Sequence, residues 1–270
     1  MTTDVPVHKP VPGSVDIDVK VPVRGVAVIE IRRPPNNFFD AALISLIADI
    51  AHTLASDNDT RAIVVASQGK NFCAGADFNS VSGAAQISAD EGARELYSAA
   101  ARLFASELPL VAAVQGAAVG GGMGLALAAD FRVAGPRSRF AANFSRIGLH
   151  HGFGMTVTMP RIVGTQYATD LLLTGRNIDG AEAFRVGLVD RLVDDDAIRD
   201  SAILLATELA TTAPLALRSI RKTLRRGLAE AVATATDHER AEQAWLRATN
   251  DFAEGVRASA DRRTPTFIGR

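Results

Sequence analysis

The chain has 270 residues, of which 47% are hydrophobic and 22% charged, with a formal net charge of −1. That length supports one large domain, or one domain with a helical appendage. The near-neutral balance gives no field for nucleic acid or an anionic membrane, so a small molecule or the protein itself is the expected partner.

Residues 1–14 carry several prolines and polar residues and read as a flexible N-terminal tail. They lack the positive start and apolar run of a signal peptide. Val15 to Val21 and Val26 to Ile31 alternate apolar and polar residues around Arg24-Gly25, which predicts a hairpin. Pro34-Pro35 stops its second strand. Asp40 to Leu54 has helical spacing, and Ala62 to Ala66 is a short apolar strand. A loop over 69–82 leads to a helix over 91–106. Leu110 to Val114 is another buried strand, and a glycine-rich turn then enters a helix near Gly121. Phe131 to Ala134 is strand-like. This strand–helix rhythm predicts an α/β core of parallel strands over 15–200. Residues 201–270 read as helical, broken at Pro214 and ended by Thr264-Pro265. Apolar stretches such as 111–129 are interrupted by glycine and end at Asp130, so they read as buried units rather than membrane spans.

There is one cysteine, Cys73. It cannot form an internal disulfide, which fits a reducing, cytoplasmic compartment. Beside Phe72 it reads as a small core residue rather than a nucleophile. No Cys/His cluster has metal-ligand spacing.

Two turns follow predicted parallel strands. Gly120-Gly121-Gly122-Met123-Gly124 opens a helix, where free N–H groups can face a negative oxygen. Tight helix–strand packing is the plain alternative, and the turn alone leaves both open. It lacks the acidic ribose ligand of a dinucleotide site and the lysine of a phosphate loop. The second turn is Lys70 to Phe78, where small residues surround Gly75 and let the backbone approach a ligand. Two N–H donors converging on one oxygen would form an oxyanion hole.

The segments F-C-A-G-A-D-F at 72–78 and V-A-A-V-Q-G-A-A-V-G-G-G-M-G-L-A-L-A-A-D-F-R-V-A at 111–134 resemble the two signatures of the enoyl-CoA hydratase/isomerase (crotonase) family. L-T-G-R-N-I-D-G-A-E-A-F-R-V-G-L-V-D at 173–190, R-R-P-P-N-N-F at 32–38 and the ending S-A-D-R-R-T-P-T-F-I-G-R are similar to further family segments, in order from about residue 15 to 270. The resemblance implies a spiral of β-β-α units with a helical C-terminal trimerisation region. It implies a CoA thioester as substrate, no cofactor, no metal, and a trimer or dimer of trimers. By position, the Ala76 and Gly121 N–H groups would hold the thioester carbonyl. Pro35, Asn36, Ala74, Asp77 and Phe78 would line adenine and pantetheine, and Phe267 and Arg270 would complete the CoA site. For Asp77 a capping or turn carboxylate is an equal reading.

The chemistry departs from the family at the acids. The family's two glutamates, which position water and move a proton, fall at Gly124 and Phe144. A third acid position, used by some isomerases, falls at Gly152. The nearest replacements are His150 and His151, which titrate near neutral pH; His151 is placed ahead, with surface or capping histidines as the plain alternative. Glu91, Glu95 and Tyr97 follow, against a solvated helix face. Lys222, Arg225 and Arg226 read as a solvated charge run, with CoA-phosphate contact as the other option. Trp245 is expected in the core or an interface. The expected function is therefore an acyl-CoA-binding crotonase-type enzyme that stabilises a thioester enolate or oxyanion. A catalytically silent acyl-CoA-binding oligomer and a CoA-thioester hydrolase or decarboxylase are the alternatives. A dinucleotide-dependent redox enzyme ranks far below.

Overall fold

The computed structural model describes residues 7–8, 14–76 and 86–270. A seven-stranded sheet forms the centre, in the order β1-β2-β3-β4-β5-β7-β10. Its strands are β1 (Val7–His8), β2 (Ile17–Val23), β3 (Val26–Ile31), β4 (Ala62–Ser67), β5 (Leu110–Val114), β7 (Phe131–Ala134) and β10 (Arg191–Leu192). The hairpin β2–β3 is antiparallel, and every pairing from β3 to β10 is parallel. Val7 and His8, placed in the tail by the sequence reading, pair with Val21 and Lys20. A smaller sheet, β6 (Ala117–Val119), β8 (Arg139–Ala141) and β9 (Asn177–Asp179), has no clear sequence signal because its strands are three residues long.

The inner strands β3, β4 and β5 are buried along their whole length, as parallel strands covered on both faces must be. Successive residues alternate between two cores. Ala27, Ile29, Ile31, Ile63 and Val65 face α1 (Ala41–Ser56) and α2 (Gln86–Phe104). Val26, Val28, Val64 and Val111 face α6 (Ile198–Ala210), whose Ile198, Ala202, Leu205 and Ala206 complete that layer. The boundary read at residue 200 thus falls inside a helix that belongs to the core.

The remaining helices are α3 (Gly121–Ala128), α4 (Met155–Thr174), α5 (Gly180–Arg185), α7 (Pro214–Leu224), α8 (Leu228–Leu246) and α9 (Asn250–Ala260). Pro214 occupies the first turn of α7, where its missing N–H costs nothing. Helix α8 lies on α2. Its buried Glu239 accepts hydrogen bonds from the Gly154 and Thr156 N–H groups and the Thr156 hydroxyl, at 2.9, 3.3 and 2.6 Å. That carboxylate caps α4 and fixes α8 over the first half of the chain. After α9 the chain turns back as a strap. Asp251 accepts from the Ile268 and Gly269 N–H groups at 2.7 and 2.9 Å.

Candidate active site

The two glycine turns are stapled to each other by backbone. The Cys73 N–H donates to the Ala117 carbonyl at 2.9 Å, and the Val119 N–H donates to the Cys73 carbonyl at 3.0 Å. Gly75 has φ +89°, and a Cβ there would lie 2.9 Å from the Val119 carbonyl oxygen and 3.5 Å from the Gly121 nitrogen. Only glycine allows this approach. The Phe39 N–H donates to the Gly75 carbonyl at 3.0 Å, and Phe39 pairs with Ala76 as an isolated parallel bridge. In that pairing the Ala76 N–H points away from Phe39. Gly121 opens α3, so its N–H has no acceptor within the helix. Among the described residues neither N–H has a hydrogen-bond acceptor.

Ala76 and Gly121 both line one cavity of about 450 Å³, together with Asn36, Ala74 and residues of α2, α8 and α9. Pro35 is not among the lining residues; its carbonyl accepts from Asn71 Nδ2 at 3.2 Å. Asp77 and Phe78 lie outside the described residues. Phe267 and Arg270 sit on the C-terminal strap and are not among the lining residues; the Arg270 carbonyl accepts from the Asn250 N–H at 2.9 Å.

Of the three positions that the resemblance assigns to acids, two are filled by side chains from other elements and the third holds its own phenylalanine. A Cβ at Gly124 would lie 2.5 Å from the Phe153 Cβ. Phe153 reaches this place with φ +61°, a conformation that costs a non-glycine residue about 1–2 kcal/mol. Its ring packs edge-on against Phe39, centroids 5.8 Å apart. Phe144 is buried and lines the cavity. A Cβ at Gly152 would lie 2.2 Å from the Tyr97 hydroxyl. That hydroxyl donates to Gln243 Oε1 at 2.9 Å, and Gln243 Nε2 donates to the carbonyls of His150 and His151 at 2.9 and 3.1 Å. Burial holds the Tyr97 phenol well above its ordinary range.

The two histidines are not brought to the cavity. His150 Nδ1 lies 2.9 Å from the His151 carbonyl, so that nitrogen carries the hydrogen. His151 Nε2 lies 2.9 Å from the Leu172 carbonyl and likewise donates. Its ring meets Phe144 edge-on at 5.5 Å, and its Nδ1 is buried without a partner. The positions 149 and 152 on either side line the cavity, while 150 and 151 are not among the lining residues. Burial lowers the His151 pKa to about 4. A group whose folded pKa is depressed binds fewer protons folded than unfolded between pH 6.5 and 4. Stability contributed by neutral His151 is therefore present above pH 6.5 and is lost as pH falls to 4, by up to about 3 kcal/mol. Denaturant titrations at stepped pH should show this slope, and His151→Gln should flatten it; equal slopes in both proteins would contradict the burial argument.

Glu91 and Glu95 are exposed on α2. Arg225 is no solvated residue: it bonds Asp130 Oδ1 at 2.9 Å and the Ala128 carbonyl at 3.0 Å. Lys222 and Arg226 are exposed, and Trp245 is 58% exposed. Gln243, Arg247 and the α9 residues of the lining carried no sequence signal, because they follow the glycine turns by more than a hundred residues. Among the described residues no group of three or more His, Cys, Asp or Glu side chains could hold a metal ion.

The enoyl-CoA hydratase/isomerase family profile matches residues 23–270. The chain belongs to the enoyl-CoA hydratase/isomerase family. A Mycobacterium leprae protein named a probable enoyl-CoA hydratase is 33% identical over 246 residues, 91% of this chain and 95% of its own. The 1,2-epoxyphenylacetyl-CoA isomerase of Escherichia coli is 30% identical over 252 residues, covering 92% and 96%. The enoyl-CoA hydratase/isomerase from Pseudoalteromonas atlantica superposes with a TM-score of 0.82 at 28% identity, over 94% of this chain and 100% of that one. The architecture is thus the crotonase fold with a helical C-terminal region.

Proposed function

We propose that this family member binds a CoA thioester with its carbonyl oxygen between the Ala76 and Gly121 N–H groups, and stabilises the enolate or oxyanion that forms there. One observation carries the reading: two residues whose N–H groups have no acceptor among the described residues, from turns stapled to each other, line the same cavity. Fixed donors of this kind stabilise developing charge without reorganising. No cofactor enters this scheme, and ordinary hydration is not its reaction. The described lining contains no Asp, Glu or His, and the proton donors it offers are the substrate, water and the Tyr97 phenol. The same observation favours a second reading, an acyl-CoA-binding protein without turnover. Isothermal titration of the folded protein with free CoA and short acyl-CoAs should show saturable binding. Absence of binding to every CoA compound would overturn both readings. A panel of enoyl-, hydroxy- and ketoacyl-CoA esters then separates them by turnover.

The proposed assembly is a trimer or a dimer of trimers. Leu215, Ile220 and Leu224 on α7 are 82%, 59% and 80% exposed, a costly apolar face for one chain in water. Light scattering should give a mass of three or six chains, and a stable monomer at micromolar concentration would contradict this.

A further inference from the structure

The described lining of the cavity holds two arginines, Arg247 and Arg262, and no acidic residue. The two differ in setting. Arg262 follows α9 and is exposed, which suits a phosphate of CoA at the rim. Arg247 follows α8 and is half-buried. Its Nη2 donates to Gln243 Oε1 at 3.3 Å, and no carboxylate among the described residues pairs with it. Gln243 itself is immobilised. Both hydrogens of its amide are taken by the His150 and His151 carbonyls, and its oxygen receives the Tyr97 phenol as well as Arg247.

This chain of contacts leads from the Gly152 space, which Tyr97 fills, to the guanidinium. The same lining carries a set of apolar side chains: Leu96, Phe144, Ile147, Leu149 and Phe153. A guanidinium has five N–H donors and cannot shed its charge, so Arg247 retains most of its donors for a ligand. Desolvating such a cation without an acid is costly, and a bidentate carboxylate would offset that cost.

We propose that Arg247 is a specificity-determining residue that pairs with a carboxylate at the far end of the acyl group, so that the preferred ligand is the CoA thioester of a dicarboxylic acid. This rests on the CoA-thioester reading above. Carbonyl stabilisation at Ala76 and Gly121 would be common to any ester, whereas Arg247 would select among them.

The test is isothermal titration of the full chain with adipyl-CoA, hexanoyl-CoA and free CoA. Wild type should bind adipyl-CoA roughly tenfold or more tightly than hexanoyl-CoA, the yield of one charge-assisted pair. Arg247→Met should remove that preference, and Arg247→Lys should keep part of it. Equal wild-type affinities for the two esters overturn the proposal without any variant. If Arg247→Met weakens free CoA and both esters alike, Arg247 meets a CoA phosphate and the proposal is wrong. If folded wild type binds no CoA compound, the thioester reading itself fails. Calorimetric melting of each variant shows whether a loss of binding is a loss of fold.

Discussion

Crotonyl-CoA should be hydrated at roughly 0.1 per second or more slowly, at least a hundredfold below a typical enzyme turnover of about 10 per second. The expectation follows from what stands where acids would be needed. Each positioned proton-transfer group contributes about 10²–10⁴-fold, and the three positions that the resemblance assigns to such groups hold Gly124, Phe144 and Gly152. Restoring them one at a time should fail. A side chain at Gly124 meets the Phe153 Cβ at 2.5 Å, an atom anchored to backbone rather than the free end of a side chain. Gly124→Glu should therefore destabilise by about 3 kcal/mol or more, through overpacking and a buried carboxylate without a partner. Gly124→Glu and Phe144→Glu with Phe153→Ala as a space-making change is the combination to assay. Turnover by wild type near 10 per second would show that a proton-handling group has been missed.

Gly122→Ala should be the most damaging single methyl group in the site. A Cβ there would lie 2.0 Å from the Cys73 carbonyl oxygen, which accepts the Val119 N–H across the staple. That carbonyl is backbone, so one turn must move. The expected cost is about 3 kcal/mol, or a fall in Tm of roughly 6–12 °C for a chain of this size. Affinity for any CoA ester should fall at least tenfold, because the Ala76 and Gly121 donors no longer converge. Gly121→Ala is the contrast: its Cβ meets the far edge of the Phe39 ring at 2.3 Å, and a ring can tilt. Calorimetry and titration on both variants decide the matter, and equal behaviour of the two would show that the staple is not what aligns the donors.

Much of the fold was legible because its signals are local. The apolar run over Val26 to Ile31, the helical spacing over Leu43 to Leu54 and the glycines at 120–124 each report on neighbours a few residues away. The family segments then supplied the order of the units. Gly124 and Gly152 stand at two of the positions that the resemblance assigns to acids, and a side chain has no room at either. What fills those spaces was not legible. Phe153 and Tyr97 arrive from other elements, and the orientation of Tyr97 depends on Gln243, 146 residues later. The histidines show the same limit in reverse. His150 and His151 belong to a segment that borders the cavity, yet Leu149 and Gly152 take the lining positions and the two rings find backbone carbonyls instead. The segment is readable from its neighbours in the chain, whereas the ring and carbonyl contacts within it are made with Leu172 of α4 and Gln243 of α8.

Cys73 is the protein's sole thiol, it has no solvent exposure, and burial pushes its pKa up to about 12. It also supplies both backbone groups of the staple between the turns. A thiolate is the reactive form, so this sulfur is inert to alkylating reagents while the turns stay paired. Modification of Cys73 thus becomes an intrinsic clock for local opening of the ligand-binding backbone, distinct from unfolding of the whole chain. Any molecule that holds the two turns together slows that clock in proportion to its occupancy, and does so without a chromophore, a label or a turnover event.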